Sequence, residues 1–182
     1  MTRSIFILAL LTTLAPCAFS DLAKNPWKLP TSMEVQGEKL VLNGIGIRKA
    51  KIFFKVYAAG LYLPAKSSNP EDIKKMEGSK VIDLYFLRNV DKKDITKAWK
   101  EAHGMDQFTG EVSTLNSYMV DMKKNTHGMQ FQVHDDGLVV KVGENLHPKI
   151  KNAAFAKAIL NIYLGPAPPN KELKEGMLGK KI

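Results

Sequence analysis

Residues 39–63, KLVLNGIGIRKAKIFFKVYAAGLYL, predict the centre of the fold. They read as two adjacent strands, residues 39–48 and 52–63, joined by a short charged connection that predicts an antiparallel hairpin. The second strand has apolar side chains on both alternating faces, as in a strand that lies in mid-sheet and is covered on both sides. Its small residues Ala58, Ala59 and Gly60, and the glycines of Asn43-Gly44-Ile45-Gly46 in the first strand, predict that something else approaches the backbone closely.

The segments that follow predict an α+β fold. Residues 80–88 alternate as a further strand, and residues 127–142 read as a hairpin. Capping residues and stop signals predict helices at four places, residues 70–78, 91–104, 110–124 and 148–165. Strands, helices, a hairpin and a closing helix, in this order, are typical of an antiparallel β-sheet with helices packed on one face.

Residues 1–20 are predicted to be a signal peptide. Arg3 is the only charged residue among them, and the apolar run in residues 5–14 is too short to span a membrane. Small residues close to Ser20 predict cleavage before Asp21. The remaining residues, 21–182, have the length of a single domain, which we expect to be periplasmic or secreted.

Cysteine usage agrees with that prediction of export. Cys17 is the single cysteine of the chain, so the processed protein would contain none. An exported protein without disulfides suits a bacterial periplasm at least as well as the eukaryotic exterior. Lipoprotein processing at Cys17 is the alternative, and Pro16 directly before the cysteine disfavours it.

The chain is basic, with 27 lysines and arginines against 18 acidic residues and a formal net charge of +9. The lysines are scattered, which favours a solvated basic surface; weak attraction to an anionic membrane surface is the sharper alternative. Nucleic acid is excluded as a partner by the predicted export and by the lack of a basic patch interleaved with exposed aromatic residues.

Most catalytic and metal chemistry finds no support in the motifs. The four histidines are far apart and form no metal-ligand spacing. There is no Gly-x-Ser-x-Gly nucleophile, and the glycines near Gly44 lack the pattern of a dinucleotide site. We therefore predict no metal and no cofactor.

Arg48 and Tyr57 carry the remaining functional hypothesis. A guanidinium beside an apolar core is costly unless an anion or another acceptor meets it. In one interpretation, the guanidinium of Arg48 and the hydroxyl of Tyr57 are directed at the carboxylate of a ligand at the mouth of an apolar cleft. The other is an arginine satisfied by backbone carbonyls and a tyrosine used as core.

Two blocks of the sequence resemble the chalcone isomerase family. GIGIRKAKIFFKVYAAGLYL is similar to the two-strand opening of that family, in which Gly-x-Gly-x-Arg precedes a strand that ends in Tyr-Leu. FAKAILNIYLGPAPPNKELKEGMLG resembles the closing helix of its bacterial secreted branch. The resemblance covers residues 33–178 and implies the open-faced β-sandwich of the family.

The resemblance also bears on the site. Arg48 matches the family's arginine, and Tyr57 stands where the isomerase branch has a threonine. A tyrosine there is similar to the fatty-acid-binding branch, in which an arginine and a tyrosine hold the ligand carboxylate. Ile95 and Ala102 fall where the isomerase branch has a tyrosine and an asparagine, and neither side chain can donate a hydrogen bond.

The leading hypothesis is an exported, non-catalytic binder of a small amphipathic acid such as a fatty acid. Its predicted ligand-binding residues are Arg48, Tyr57, Ala59 and Gly60, and no catalytic residue is predicted. Two alternatives remain open. One is an isomerase, an intramolecular lyase of unknown substrate, with Arg48 as electrostatic stabiliser. The other is an envelope structural or interaction protein whose cleft has closed.

Overall fold

The computed structural model describes residues 25–51 and 53–180. Its strands form one sheet in which each strand pairs antiparallel with the next in sequence, which confirms the predicted antiparallel α+β fold. The strands are β1 Ser32–Val35, β2 Glu38–Ala50, β3 Phe54–Leu63, β4 Lys80–Phe86, β5 Thr126–His134, β6 Gly137–Val142 and β7 Asn145–Leu146. The helices are α1 Pro70–Lys75, α2 Lys92–Glu101, α3 Thr109–Tyr118, α4 Ala153–Leu164 and α5 Lys171–Met177. None of these helices has the length and apolarity that crossing a bilayer requires.

The two faces of the sheet carry different amounts of core. On the face that we call the inner face, Leu61, Ile82 and Phe131 lie in one row across three strands. They belong to the large buried cluster to which α4 contributes Phe155 and Ile159. The opposite, outer face carries a smaller cluster, Val35, Leu40, Tyr62 and Val81.

Strand β3 lies between β2 and β4, as its two apolar faces predict. Residues 58–63 are buried on both faces, whereas Phe54 and Lys55 at the start of the strand are exposed. The central position therefore holds for the second half of β3. The first half belongs to a hairpin that projects towards solvent.

The close approach predicted at Gly44 and Gly46 is confirmed, and the approaching element is α5. A Cβ atom at Gly44 would overlap the backbone of Gly176, and one at Gly46 would overlap the backbone of Leu173. No helix is predicted there from the sequence. Gly176 interrupts the segment, and a glycine inside a helix costs about 1 kcal/mol relative to alanine. Packing of α5 against β2 stabilises the helix instead.

Helices α1 and α2 each end three residues earlier than predicted, and the other two predicted helices differ more from their bounds in the structure. Helix α3 ends at Tyr118, because Met122 leaves the helical path and forms a bridge with Val90, in which the Val90 N–H donates to the Met122 carbonyl over 3.0 Å. Helix α4 begins later than predicted. Its cap is Asn152, whose side chain accepts a hydrogen bond of 3.0 Å from the Phe155 N–H.

Candidate functional site

A cavity of about 720 Å³ opens between the inner face of the sheet and helix α2. Its volume lies within the range of roughly 300–1,000 Å³ that is usual for small-molecule sites. The strands contribute an apolar floor and α2 contributes one wall, and the end of α4 closes the other side. The apolar residues that line it include Leu84, Phe86, Ile95, Trp99, Met129 and Ile162.

Arg48 and Tyr57 both line this cavity, and the structure places them side by side. They are direct cross-strand partners of β2 and β3, so their side chains stand on the same face of the sheet. Immediately beyond this pair the register shifts, because Val56 is an extra residue on β3 between Tyr57 and Lys55. A β-bulge at such a position re-aims the neighbouring side chains.

The charge of Arg48 has no ionic partner among the described residues. The side chain is half-buried, and its Nη1 donates to the carbonyl of Lys49, the next residue in the chain. No described carboxylate lies within 4.0 Å of the guanidinium. A partly buried positive charge without a counter-charge is unfavourable, and an anion beside Arg48 would offset that cost.

The backbone that carries Arg48 is fixed from both sides by Asn170, which precedes α5. Its Nδ2 donates to the Ile47 carbonyl over 3.2 Å, and its Oδ1 accepts from the Lys49 N–H over 3.2 Å. The same Nδ2 donates to a carboxylate oxygen of Glu172 over 2.9 Å. Docking of α5 on β2 therefore also holds in place the strand from which Arg48 projects.

Two tyrosine hydroxyls meet near Arg48, one from β3 and one from α4. Burial raises the pKa of Tyr57 to about 12, although the charge of Arg48 and a side-chain hydrogen bond with Tyr163 lower it in part. Burial also raises the pKa of Tyr163 well above its ordinary value, and the neighbouring Tyr57 raises it further. Both hydroxyls stay protonated at neutral pH and can donate hydrogen bonds.

Aromatic rings form much of the remaining wall. The rings of Tyr57 and Phe86 have centroids 5.7 Å apart, and the Trp99 ring meets Phe131 edge to face at 5.2 Å. Trp99 is 6% exposed, and its buried Nε1 has no hydrogen-bond partner in the part of the chain that the structure describes. Because a buried indole N–H usually finds an acceptor, Trp99 offers a second polar contact within an apolar wall.

The rim of the cavity carries charges of both signs. On the sheet side, Arg88 is exposed and its guanidinium lies 5.5 Å from the centre of the Phe54 ring. On the helix side, Asp91, Asp94 and Glu101 line the rim and are exposed. An anionic group is therefore favoured on the sheet side, where Arg48 lies.

The other two predicted ligand-binding residues do not line the cavity. Ala59 is fully buried in the large cluster of the inner face. Gly60 lies towards the outer face, where an added Cβ would come within 3.3 Å of Leu29. The small residues of β3 thus make room for neighbouring side chains, including the segment before β1. Ile95 and Ala102, which replace the polar pair of the isomerase branch, do line the cavity.

Sequence reasoning missed the contributions of Tyr163, Arg88 and the rim acids. Tyr163 lies four residues after Ile159, so the helical period places both side chains on the same face of α4, but nothing in the period links Tyr163 to Tyr57. Ile95 and Trp99 lie four residues apart and so share one apolar face of α2, yet that spacing does not distinguish a core position from a cavity wall. The positions of Tyr163 and Trp99 at the cavity depend on the register of the sheet and on how α4 and α2 dock against it.

Residues 23–179 match the family model described as chalcone isomerase-like. The chain belongs to the chalcone isomerase-like family. Among solved structures, a fatty-acid binding protein of Arabidopsis thaliana is similar, with a TM-score of 0.66 and 18% sequence identity over 82% of this chain and 90% of that one. At that identity the likeness shows the fold. No curated protein matches the sequence.

Proposed function

We propose that this chalcone isomerase-like protein binds a small amphipathic carboxylate, such as a fatty acid, and does not transform it. The observation that carries the proposal is Arg48, a half-buried guanidinium that lines an apolar cavity and has no carboxylate partner among the described residues. A carboxylate is the anion whose planar geometry matches the guanidinium fork.

The surrounding groups suit both ends of such a ligand. The hydroxyl of Tyr57 can donate its single proton to a carboxylate held by Arg48 while it accepts a hydrogen bond from Tyr163. An alkyl chain that extends away from Arg48 would lie on apolar side chains of the floor and against Trp99. The name of the Arabidopsis neighbour, a fatty-acid binding protein, supports the same ligand class.

Two observations favour binding over the isomerase alternative. Ile95 and Ala102 give the cavity wall no hydrogen-bond donor at the places where the isomerase branch has polar side chains. A general base works best with a pKa near the operating pH, and the pKa of Tyr57 is raised to about 12. The open cavity also favours a ligand-binding protein over an envelope protein whose cleft has closed.

We also propose export, with residues 1–20 removed as a signal peptide and the processed protein beginning near Asp21. Residues 1–20 lie outside the described residues, so this proposal rests on their sequence: a single charge followed by an apolar run. The destination would be the periplasm or the exterior of the cell. Weak contact with an anionic membrane surface is compatible with the net charge of +9.

Native mass spectrometry of the protein purified from its own host tests both proposals at once. We expect a polypeptide mass that corresponds to a start near Asp21 and, in addition, adducts with the masses of acyl chains. An intact Met1, or a lipid on Cys17, would contradict the export proposal alone. A bare protein that also fails to take up added fatty acid would contradict the binding proposal alone.

A further inference from the structure

The connection between β2 and β3 exposes two aromatic rings. Phe53 is 83% exposed and Phe54 is 53% exposed, while Lys51 and Lys55 on either side are exposed as well. We call these four residues the hairpin tip. The sequence analysis found no basic patch interleaved with exposed aromatic residues. The structure corrects that here, because the hairpin projects beyond the covered part of the sheet.

The charge around the hairpin tip is positive. Residues 48–55 contain three lysines and Arg48 but no acidic residue. The guanidinium of Arg88 lies over the ring of Phe54, 5.5 Å from its centre, and is itself exposed. Phenylalanine rings flanked by long basic side chains are typical of segments that lie in a membrane interface, where the rings enter the acyl boundary and the cations meet headgroup phosphates.

The hairpin tip adjoins the mouth of the cavity. Ala50 and Val56, which flank it in sequence, both line the cavity, as do Arg48 and Arg88. A bilayer that receives the two phenylalanines would therefore lie against the opening. We propose that the hairpin tip docks the protein on an anionic lipid bilayer with the mouth of the cavity turned towards the lipid. This inference concerns the surface of the protein, so it can hold or fail independently of what the cavity binds.

A second copy of the chain fits the hairpin tip less well than a bilayer does. A phenylalanine side chain buries at most roughly 200 Å², and a stable protein interface needs about 800 Å² from each partner. Two rings at these exposures supply only a fraction of that area. A bilayer requires no complementary surface, and the headgroups of an anionic bilayer carry the negative charge that the hairpin tip lacks.

Sedimentation with extruded vesicles tests the proposal, with the protein purified from its own host. We expect binding to vesicles of phosphatidylcholine that contain phosphatidylglycerol, and weaker binding to phosphatidylcholine alone. Binding should fall with added salt, because exposed charges are screened. The double variant Phe53→Ser/Phe54→Ser should bind at least about tenfold more weakly, since buried aromatic side chains contribute that much or more.

A charge variant and a control distinguish binding through the hairpin tip from nonspecific adsorption to vesicles. Lys51→Gln/Lys55→Gln should lose roughly 25-fold in affinity for the anionic vesicles, at about fivefold per basic residue, and little for neutral ones. Leu146→Ser is the control, because Leu146 is 62% exposed on the opposite edge strand β7. All of these variants are otherwise identical in sequence to the wild type, so differences among them report the substituted positions.

Two outcomes would overturn the inference. One is that the phenylalanine double variant sediments with anionic vesicles as the wild type does, or that Leu146→Ser loses as much binding. The other is that the double variant leaves vesicle binding unchanged and converts a dimer into a monomer in analytical ultracentrifugation. In that second case, the hairpin tip is a contact between copies of the chain.

Discussion

Asp83 on the outer face and Arg48 on the inner face are both charged side chains of largely apolar strands, but their surroundings differ. Asp83 is 6% exposed, and one of its carboxylate oxygens lies 3.4 Å from Nδ1 of His127. Among the described residues, Arg48 finds only the carbonyl of its neighbour Lys49 as a hydrogen-bond acceptor, and its side chain borders a cavity. A buried charge in this protein therefore does not by itself indicate a ligand site. What distinguishes Arg48 is that it has no counter-charge among the described residues and that it borders a cavity.

The surroundings of Asp83 show what a satisfied charge looks like in this sheet. The hydrogen bond with Asp83 raises the pKa of His127 above its ordinary value, although partial burial lowers it. The His127 ring also meets Tyr85 nearly perpendicularly, with centroids 5.1 Å apart. The partner of the Asp83 carboxylate is a side chain of the protein, His127. The two sites should accordingly respond to mutation in opposite ways, one through stability and the other through ligand affinity.

Removal of His127 should lower the stability of the fold, whereas substitution at the cavity should act on ligand affinity. His127→Ala leaves the Asp83 carboxylate without its partner, and we expect the free energy of unfolding to fall by about 1–2 kcal/mol at pH 6, a value kept low because His127 is partly exposed. The His127 pKa is raised on folding, so this stabilisation is complete below about pH 6.5 and is lost as the pH rises through the raised folded value. Denaturant unfolding of both proteins at pH 6 and pH 8 measures it.

The control for that experiment removes both charged groups. In Asp83→Leu/His127→Leu no carboxylate is left unpaired, so the double variant should be more stable than His127→Ala. His134 remains in every variant. Burial lowers its pKa, so its contribution favours higher pH and cancels in the difference between variants. A stability loss that is equal at pH 6 and pH 8 would contradict the assignment of His127 as the charged partner.

Replacement of Tyr57 should have a smaller effect, and on affinity. Tyr57→Phe removes one neutral hydrogen bond to a bound carboxylate and should weaken a medium-chain fatty acid by about 0.5–1.5 kcal/mol. Isothermal titration calorimetry measures this change. Tyr85→Phe is the matched control on the outer face and should leave the affinity unchanged. Equal losses in both variants would mean that the effect reaches the cavity through the sheet as a whole.

The sequence predicted the elements that local pattern specifies. Period-two alternation identified the paired strands, and the central place of β3 followed from its two apolar faces. Helix α5 was missed because its stability comes from contact with the glycines of β2. The two-residue strand β7 carries too little pattern to be recognised. For α5 a distant part of the chain supplies what the local sequence lacks, whereas β7 pairs with its neighbour β6.

The site was predictable to a similar extent. The family resemblance linked Arg48 with Tyr57, whereas the predicted strands, residues 39–48 and 52–63, do not set the two opposite each other. In the structure β2 runs on to Ala50 and Val56 forms a bulge, and this register makes them cross-strand partners. Tyr163 and Trp99 join them only through the docking of α4 and α2, which a single sequence does not specify. Gly60 was assigned to the ligand because a small residue leaves space, but its position in the alternation puts that space on the outer face.

The central claim is that Arg48 serves an anionic ligand and not the fold. The most direct test titrates the wild type, Arg48→Gln and the control Lys39→Gln, an exposed cation of β2 that does not line the cavity, with a medium-chain fatty acid and with the alcohol of the same length, beside thermal melts without ligand. We expect the wild type and Lys39→Gln to prefer the acid. Arg48→Gln should lose that preference, by about 1.5–3 kcal/mol or ten- to a hundredfold in affinity, and melt no lower than the wild type. An Arg48→Gln protein that is less stable by about 1–3 kcal/mol and binds the acid as the wild type does would contradict the account.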